Sequence, residues 1–381
     1  MLTPADLVAC AEEFAVLFVQ LDTDINSSIA AQIVAQRISE DTYWQAEMRK
    51  HANYVYTKVV QELKKINPKA ANVIQQVYLE SVKKSVSYSP EVKKLVDKTH
   101  FDVEEAEGLL GYVLAGVRKT NGVMRNLTMT LAQTASNAFS NAMDRAYMQV
   151  ISGAFTMDEA LRIAVRDLIN KGFENIAYPS GSHVSVESAA RRALLTGVNQ
   201  TVANVQLQMC EEFDTDLVEV SAHAGARPSH AVWQGKIYCI NGANDKYGDF
   251  YAETGYGTGE GLCGWNCYHT FFPYIEGVTE RSFSEDPSAD YLGRSNDEMY
   301  EQSQKQRGYE GAVREAKKKC VVLKSAIKAA KSPELKQSLQ SDYAKAKRRV
   351  DIRETRLKDY CAATGRKYYS NRTEIHGYDY R

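Results

Sequence analysis

The sequence predicts a mainly helical α+β protein, and three observations carry that expectation. Apolar residues recur at three- and four-residue steps over long runs; two short β-rich runs, "DLVEV" and "GKIYCI", lie close together mid-chain; and turn residues concentrate around those two runs. The expected organisation is a helical N-terminal region over residues 1–150, an α+β core module with a small sheet over 151–290, a basic helical hairpin over 291–362 and a tail over 363–381.

The helices follow in order. Thr3-Pro4 supplies a cap and a first-turn proline, after which Leu7, Val8, Ala11, Phe14, Ala15 and Phe18 hold helical spacing. Ser89-Pro90 restarts a helix. From Leu127 to Val150 the chain is rich in Ala, Ser, Thr and Asn with little charge, which suits close packing against another helix or another subunit. Thr156 and Glu159 stand at capping-box spacing before a helix that closes on Gly172. Tyr178 to Gly181 read as a turn, and Ser185 caps a long amphipathic helix reaching Glu211. Beyond the two strands, residues 296–362 return to helix with a break at Ser332-Pro333, giving a hairpin. The final "RKYYSNRTEIHGYDYR" has little periodicity and reads as a tail that orders on a partner.

Composition narrows the class. The chain is 44% hydrophobic and 25% charged, as globular proteins are. Asp6, Glu12 and Glu13 stand where a signal peptide needs a basic start and an unbroken apolar run, and no apolar stretch approaches the roughly 18 residues of a membrane span. Five of the seven cysteines (Cys10, Cys210, Cys239, Cys320, Cys361) are scattered, so a reducing cytoplasm is the expected place of synthesis. The net charge of −1 conceals an asymmetry: residues 294–381 hold 22 Lys+Arg against 12 Asp+Glu. Within them lies the cluster Lys345, Lys347, Arg348, Arg349, Arg353, Arg356 and Lys358, in which Lys345, Arg349, Arg353 and Arg356 share one helix face. Such a face calls for an anionic partner, DNA first; an acidic protein surface and a merely solvated helix are the alternatives.

Two stretches bear candidate chemistry. "SAHAGARPSHAVWQGKIYCI" contains His223 and His230, and "GYGTGEGLCGWNCYHTFFPYIEG" adds Cys263, Cys267 and His269. Four of these five donors would complete a tetrahedral zinc site. The competing reading has the histidines bonding backbone and the cysteines packing as small apolar residues. A zinc deaminase would need H-x-E with P-C-x-x-C, and neither occurs. A Cys-His nucleophile pair can be drawn from Cys263 or Cys267 with His223 or His230, but nothing in the sequence orients the base. The glycines lack the Gly-Lys-Ser/Thr ending of a phosphate-binding loop and read as turns.

The segments "SAHAGARPSHAVWQGKIY", "TGYGTGEGLCGWNCYHTFFPYIEG", "RRALLTGVNQT" and "YEQSQKQRGYEGAVREAKK" resemble the type 2 phage minor capsid proteins from about Ser152 to Ala362, with a more distant similarity to Mu-type head morphogenesis proteins. The chain departs from that pattern at Tyr268, where relatives often carry Arg, and at Glu310-Gly311, where a Glu-Arg pair is usual. The resemblance implies a structural head protein, made in the host cytoplasm and built into the virion during assembly. The expected role is that of a low-copy component near the portal that helps assembly, genome packaging or delivery, with portal and other head proteins as partners, packaged DNA as a further one through the basic hairpin, and self-association open. It implies no enzyme; a hydrolase or transferase acting through the Cys/His loops is the rival. The core-module motif is then expected to work structurally. Arg227-Pro228 fix the loop, Trp233 supplies apolar area and Gln234-Gly235 turn into the second strand; Trp265 and Asn266 belong to the same motif.

Overall fold

The structure, a computed structural model, describes residues 3–36, 44–86, 107–171, 176–177, 183–287 and 293–378. The helix expected from Ser89, the stop at Gly172 and the turn Tyr178 to Gly181 lie outside them. The described helices are α1 (Pro4–Ala35), α2 (Trp44–Val86), α3 (Glu107–Ile151), α4 (Met157–Lys171), α5 (Val186–Glu212), the short α6 (Pro228–Ala231) and α7 (Phe250–Thr254), α8 (Asn296–Ala329) and α9 (Pro333–Thr364). The strands are β1 (Ile176–Ala177), β2 (His183–Val184), β3 (Leu217–Val220), β4 (Ile237–Cys239), β5 (Gly248–Asp249) and β6 (Phe271–Tyr274). The protein is thus mainly helical α+β, as expected. Its contacts group into two compact units, one of Met1–Phe14, Lys69–Met124 and Ala190–Gln304, the other of Ala15–Pro68, Arg125–Ala189 and Lys305–Arg381.

The first unit contains a four-stranded sheet in the order β5-β4-β3-β6. β3 is central and antiparallel to both neighbours, while β4 and β5 run parallel. All four residues of β3 are buried, as a strand covered on both faces requires. The core around it joins Ala203 and Cys210 of α5 to Val218, Val220, Trp233, Tyr238, Phe250, Leu262 and Phe271. β3 and β4 form where the two β-rich runs predicted them. β6 is an addition: its Pro273 pairs with Val218, tolerable because β6 is the sheet's edge.

The same unit contains a close approach among helices that hydrophobic pattern does not announce. Tyr78 of α2 is wholly buried, with its hydroxyl 2.7 Å from the Thr120 hydroxyl of α3. The ring fits because Gly116 and Gly197 flank it: a Cβ on Gly116 would stand 2.5 Å from Tyr78 Cε1, and one on Gly197 would stand 2.2 Å from its hydroxyl.

In the second unit the expected caps are present. Glu159 N–H donates to Thr156 Oγ1 at 3.2 Å and Thr156 N–H donates back to Glu159 Oε2 at 2.9 Å, the reciprocal box. Ser332 caps α9 by accepting from Leu335 N–H at 3.2 Å, and Gly365 ends that helix with φ 64°. The Ala/Ser-rich part of α3 is a buried stripe, with Leu131, Ala135, Phe139, Ala142, Met143 and Ala146 all at most 1% exposed. Lys318 is buried but paired, 2.8 Å from Asp22 and 3.1 Å from Glu187, and Arg162 forms a two-pronged pair with Asp342 at 2.8 Å on each prong.

The segment after α9, expected to order on a partner, docks instead on its own chain: Thr373, Ile375 and Tyr378 are buried. Gln306 donates to the Lys367 carbonyl at 3.0 Å, Arg314 to that of Arg372 at 2.8 Å and Lys317 to that of Thr373 at 3.1 Å. The tail has no period because its backbone carbonyls, rather than a repeating apolar face, satisfy cations of the hairpin.

Burial raises the Tyr78 hydroxyl from 10.0 to about 12. The folded state therefore keeps a proton that the unfolded chain gives up, so stability present below pH 10 is lost as pH rises through about 12. Chemical denaturation across this range is expected to show up to about 3 kcal/mol less loss in Tyr78→Phe than in the unsubstituted chain. Equal losses would contradict the reading.

Candidate functional site

Both Cys/His stretches converge beside the end of β3. Pro228 starts α6, whose His230 turns inward at 3% exposure. The second stretch folds through a glycine-rich loop in which Gly261 is obligatory, since a Cβ there would lie 2.0 Å from the Gly255 carbonyl oxygen. Cys263 and Asn266 adopt left-handed backbone, with φ of 58° and 54°. This winding delivers Cys267 and His269, at 0% and 1% exposure, to the same point as His230. One ligand atom from each of His230, Cys267 and His269 lies within 4.8 Å of the others.

The five predicted donors therefore divide. His230, Cys267 and His269 meet. Cys263 is buried nearby with its sulfur 3.6 Å from the His269 carbonyl oxygen. His223 stacks on the His269 ring with centroids 4.5 Å apart and sets Nδ1 3.2 Å from the Ala224 carbonyl oxygen.

The hydrogen bonds fix the tautomers. His230 Nε2 faces the Glu260 carbonyl oxygen at 2.9 Å, so it must be the protonated nitrogen. Gln234 Oε1 accepts from His223 N–H at 3.1 Å and lies 3.0 Å from His269 Nε2, which makes that nitrogen the donor as well. Both rings thus present Nδ1 as the lone-pair nitrogen, and His269 Nδ1 sits 3.6 Å from Cys267 Sγ. Desolvation holds His269 well below the usual histidine range, with His223, His230 and Arg227 adding repulsion, and it lowers His230 as well. Desolvation also lifts the Cys267 thiol to about 11 and holds Cys263 well above the usual thiol range. A nucleophilic Cys-His pair needs a thiolate within reach of substrate; here both partners are buried and both are pushed towards their neutral forms.

The residues of the core-module motif take the following places. Trp233 is 4% exposed and its ring lies 4.8 Å from that of His269 and 4.7 Å from that of His230. Gly235 takes φ 67°, and its N–H donates to the Val220 carbonyl at 3.1 Å to enter β4. Arg227 donates to the Trp265 carbonyl at 3.2 Å. Trp265 itself is at the surface, 54% exposed, rather than in the core. Two contributions escaped the sequence reading. Asn199, on α5, donates through Nδ2 to the carbonyls of both Cys267 and His269, at 2.9 and 3.1 Å. Gln234 acts through its side-chain oxygen as well as its place in the turn. Tyr268 accepts from Arg191 at 3.1 Å.

The basic cluster on α9 belongs to the second unit. Lys345, Arg348, Arg349, Arg356 and Lys358 are exposed, Lys347 and Arg353 half-buried. Arg353 is not a purely solvent-facing cation, because it donates to the Ala312 carbonyl of α8 at 2.7 Å. A groove lined by Lys305, Gly308, Tyr309, Ala312, Arg353 and Arg356 runs between α8 and α9.

Set beside known proteins, residues 2–362 match the family model described as phage minor capsid protein 2. The chain belongs to this family. A protein of Lactococcus phage LL-H named "Structural protein" is 25% identical over 294 residues, covering 73% of this chain and 77% of its own length. No solved structure matches the chain. Membership of the phage minor capsid protein 2 family makes this a phage structural protein, and among its described residues no helix is long and apolar enough to cross a membrane.

With its thiol at about 11 and no exposure, Cys267 is expected to alkylate on the order of a hundredfold more slowly in the native, chelator-treated chain than after unfolding. Peptide mapping after iodoacetamide treatment at pH 8 measures this. Equal native and unfolded rates would contradict the burial and revive the nucleophile reading.

Proposed function

We propose that this minor capsid protein is a low-copy component of the phage head, built in near the portal during assembly in the host cytoplasm, whose α8–α9 hairpin contacts packaged DNA. The observation that carries the DNA contact is the division of the hairpin's cations between two uses. Lys317 and Lys318 point inward and are held by Glu354, Asp22 and Glu187. Lys345, Arg349 and Arg356 point outward at i,i+4 and longer steps along α9, and Arg353 lies on the groove wall between them. Lys319 of α8 is lowered by desolvation and by the nearby cations Arg353 and Arg349, so cations of both helices crowd one surface. Like charges so arranged repel unless an anion lies across them, and a phosphate backbone supplies regularly spaced anions.

Contacts of this type read no bases, so binding is expected to be indifferent to sequence and steeply salt-dependent. The full-length triple variant Lys345→Glu, Arg349→Glu, Arg356→Glu should bind duplex DNA more weakly, with a slope of log affinity against log salt shallower by roughly 3. It should still enter heads. Unchanged DNA binding with lost incorporation would assign the face to an acidic head protein and sink the DNA reading.

A further inference from the structure

We propose that His230, Cys267 and His269 form a binding site for a divalent metal ion of the zinc class, a role separate from the head-protein reading above. The three donors come from two distant stretches, α6 and the loop before β6, and meet with their ligand atoms within 4.8 Å of one another. Their orientation is that of ligands. In metal sites a histidine ordinarily binds through one nitrogen and donates the other N–H to a carbonyl or carboxylate, which fixes ring and tautomer. His230 does this with the Glu260 carbonyl and His269 with Gln234 Oε1, which is itself fixed by the His223 N–H. Both Nδ1 lone pairs are thereby left for the metal.

Distance agrees with orientation. A sulfur and a nitrogen on one tetrahedral zinc, at about 2.3 and 2.1 Å from it, stand about 3.6 Å apart. Cys267 Sγ and His269 Nδ1 are 3.6 Å apart. The supporting shell is also built. Asn199 clamps the backbone of the ligand-bearing loop at Cys267 and His269, and Trp233 covers the rings of both histidines. One thiolate and two imidazoles select zinc, cobalt or copper over magnesium and calcium, which take oxygen ligands. Cys263 and His223 are outside the set, since the Cys263 sulfur lies on the His269 carbonyl and His223 Nδ1 turns to Ala224.

The full-length chain, stripped with chelator under reducing conditions and titrated with zinc, is expected to take up one equivalent. X-ray absorption of the zinc-loaded chain should show one sulfur near 2.3 Å and nitrogen ligands near 2.1 Å. Loaded with cobalt, the chain should show a thiolate-to-metal charge-transfer band that Cys267→Ser abolishes and Cys263→Ser keeps. Gln234→Leu, which removes the oxygen that positions His269, should weaken zinc binding roughly ten- to a hundredfold. Failure of the folded chain to bind stoichiometric zinc, a sulfur-free coordination shell, or a charge-transfer band that survives Cys267→Ser would overturn the proposal. Should Cys267→Ser fail to fold, the absorption spectrum of the unsubstituted chain decides alone. None of these results bears on DNA binding or head incorporation through the hairpin.

Discussion

The bond between Gln234 Oε1 and His269 Nε2 organises the module in which it lies. A histidine at 1% exposure must stay neutral, and a neutral imidazole has one donor and one acceptor to satisfy. The donor goes to Gln234, which ties the loop after β6's partner strand β3 to the loop before β6. The acceptor faces Cys267 Sγ. Because Gln234 Oε1 also accepts from His223 N–H, one side-chain oxygen holds both Cys/His stretches in register. Neighbouring bonds extend the same junction: Ser221 N–H donates to the Thr270 carbonyl at 2.8 Å and Thr270 N–H returns to Ser221 Oγ at 2.9 Å. Apolar packing by Trp233, Phe250 and Phe271 surrounds this polar centre and excludes water from it.

The hairpin of the second unit solves a different problem, excess positive charge, by partition. Its inward cations are paired: Lys318 lies between Asp22 and Glu187, and desolvation opposes but does not overcome the pull of its carboxylates. Further cations, Lys317 and Arg314, hold backbone carbonyls of the tail, so the C-terminal segment is ordered by the charges it covers. Lys345, Arg349 and Arg356 are exposed on the outer face of α9, and that exposure is the ground on which contact with packaged DNA is proposed.

How much was legible in the sequence follows from the range of each interaction. The caps at Thr156 and Ser332 were legible because a capping box spans three residues, and β3 and β4 because alternation is local. The convergence of the two Cys/His stretches was legible only as residue types. Which three of five donors meet depends on left-handed backbone at Cys263 and Asn266 and on Asn199, some seventy residues from the loop it clamps. Nothing local marks Asn199 within a helix. Tyr78, Gly116 and Gly197 were likewise illegible, since an aromatic ring seated between two glycines comes from three separate helices. β6 was missed because its proline argues against a strand until the strand is known to lie at an edge. Trp265, named in the core-module motif on residue type alone, has its ring over Gly259 at the surface.

The central claim is that His269 is a neutral, Nε2-protonated imidazole locked by Gln234. Long-range proton–nitrogen NMR on the full-length, metal-free chain with ¹⁵N-labelled histidine tests it most directly, the His269 signals being identified by their loss in a His269 variant. The account predicts a protonated Nε2 and an unprotonated Nδ1 that persist at pH 6, where an ordinary histidine takes up a second proton. A His269 ring protonated at both nitrogens at that pH, or one bearing its proton on Nδ1, would contradict it.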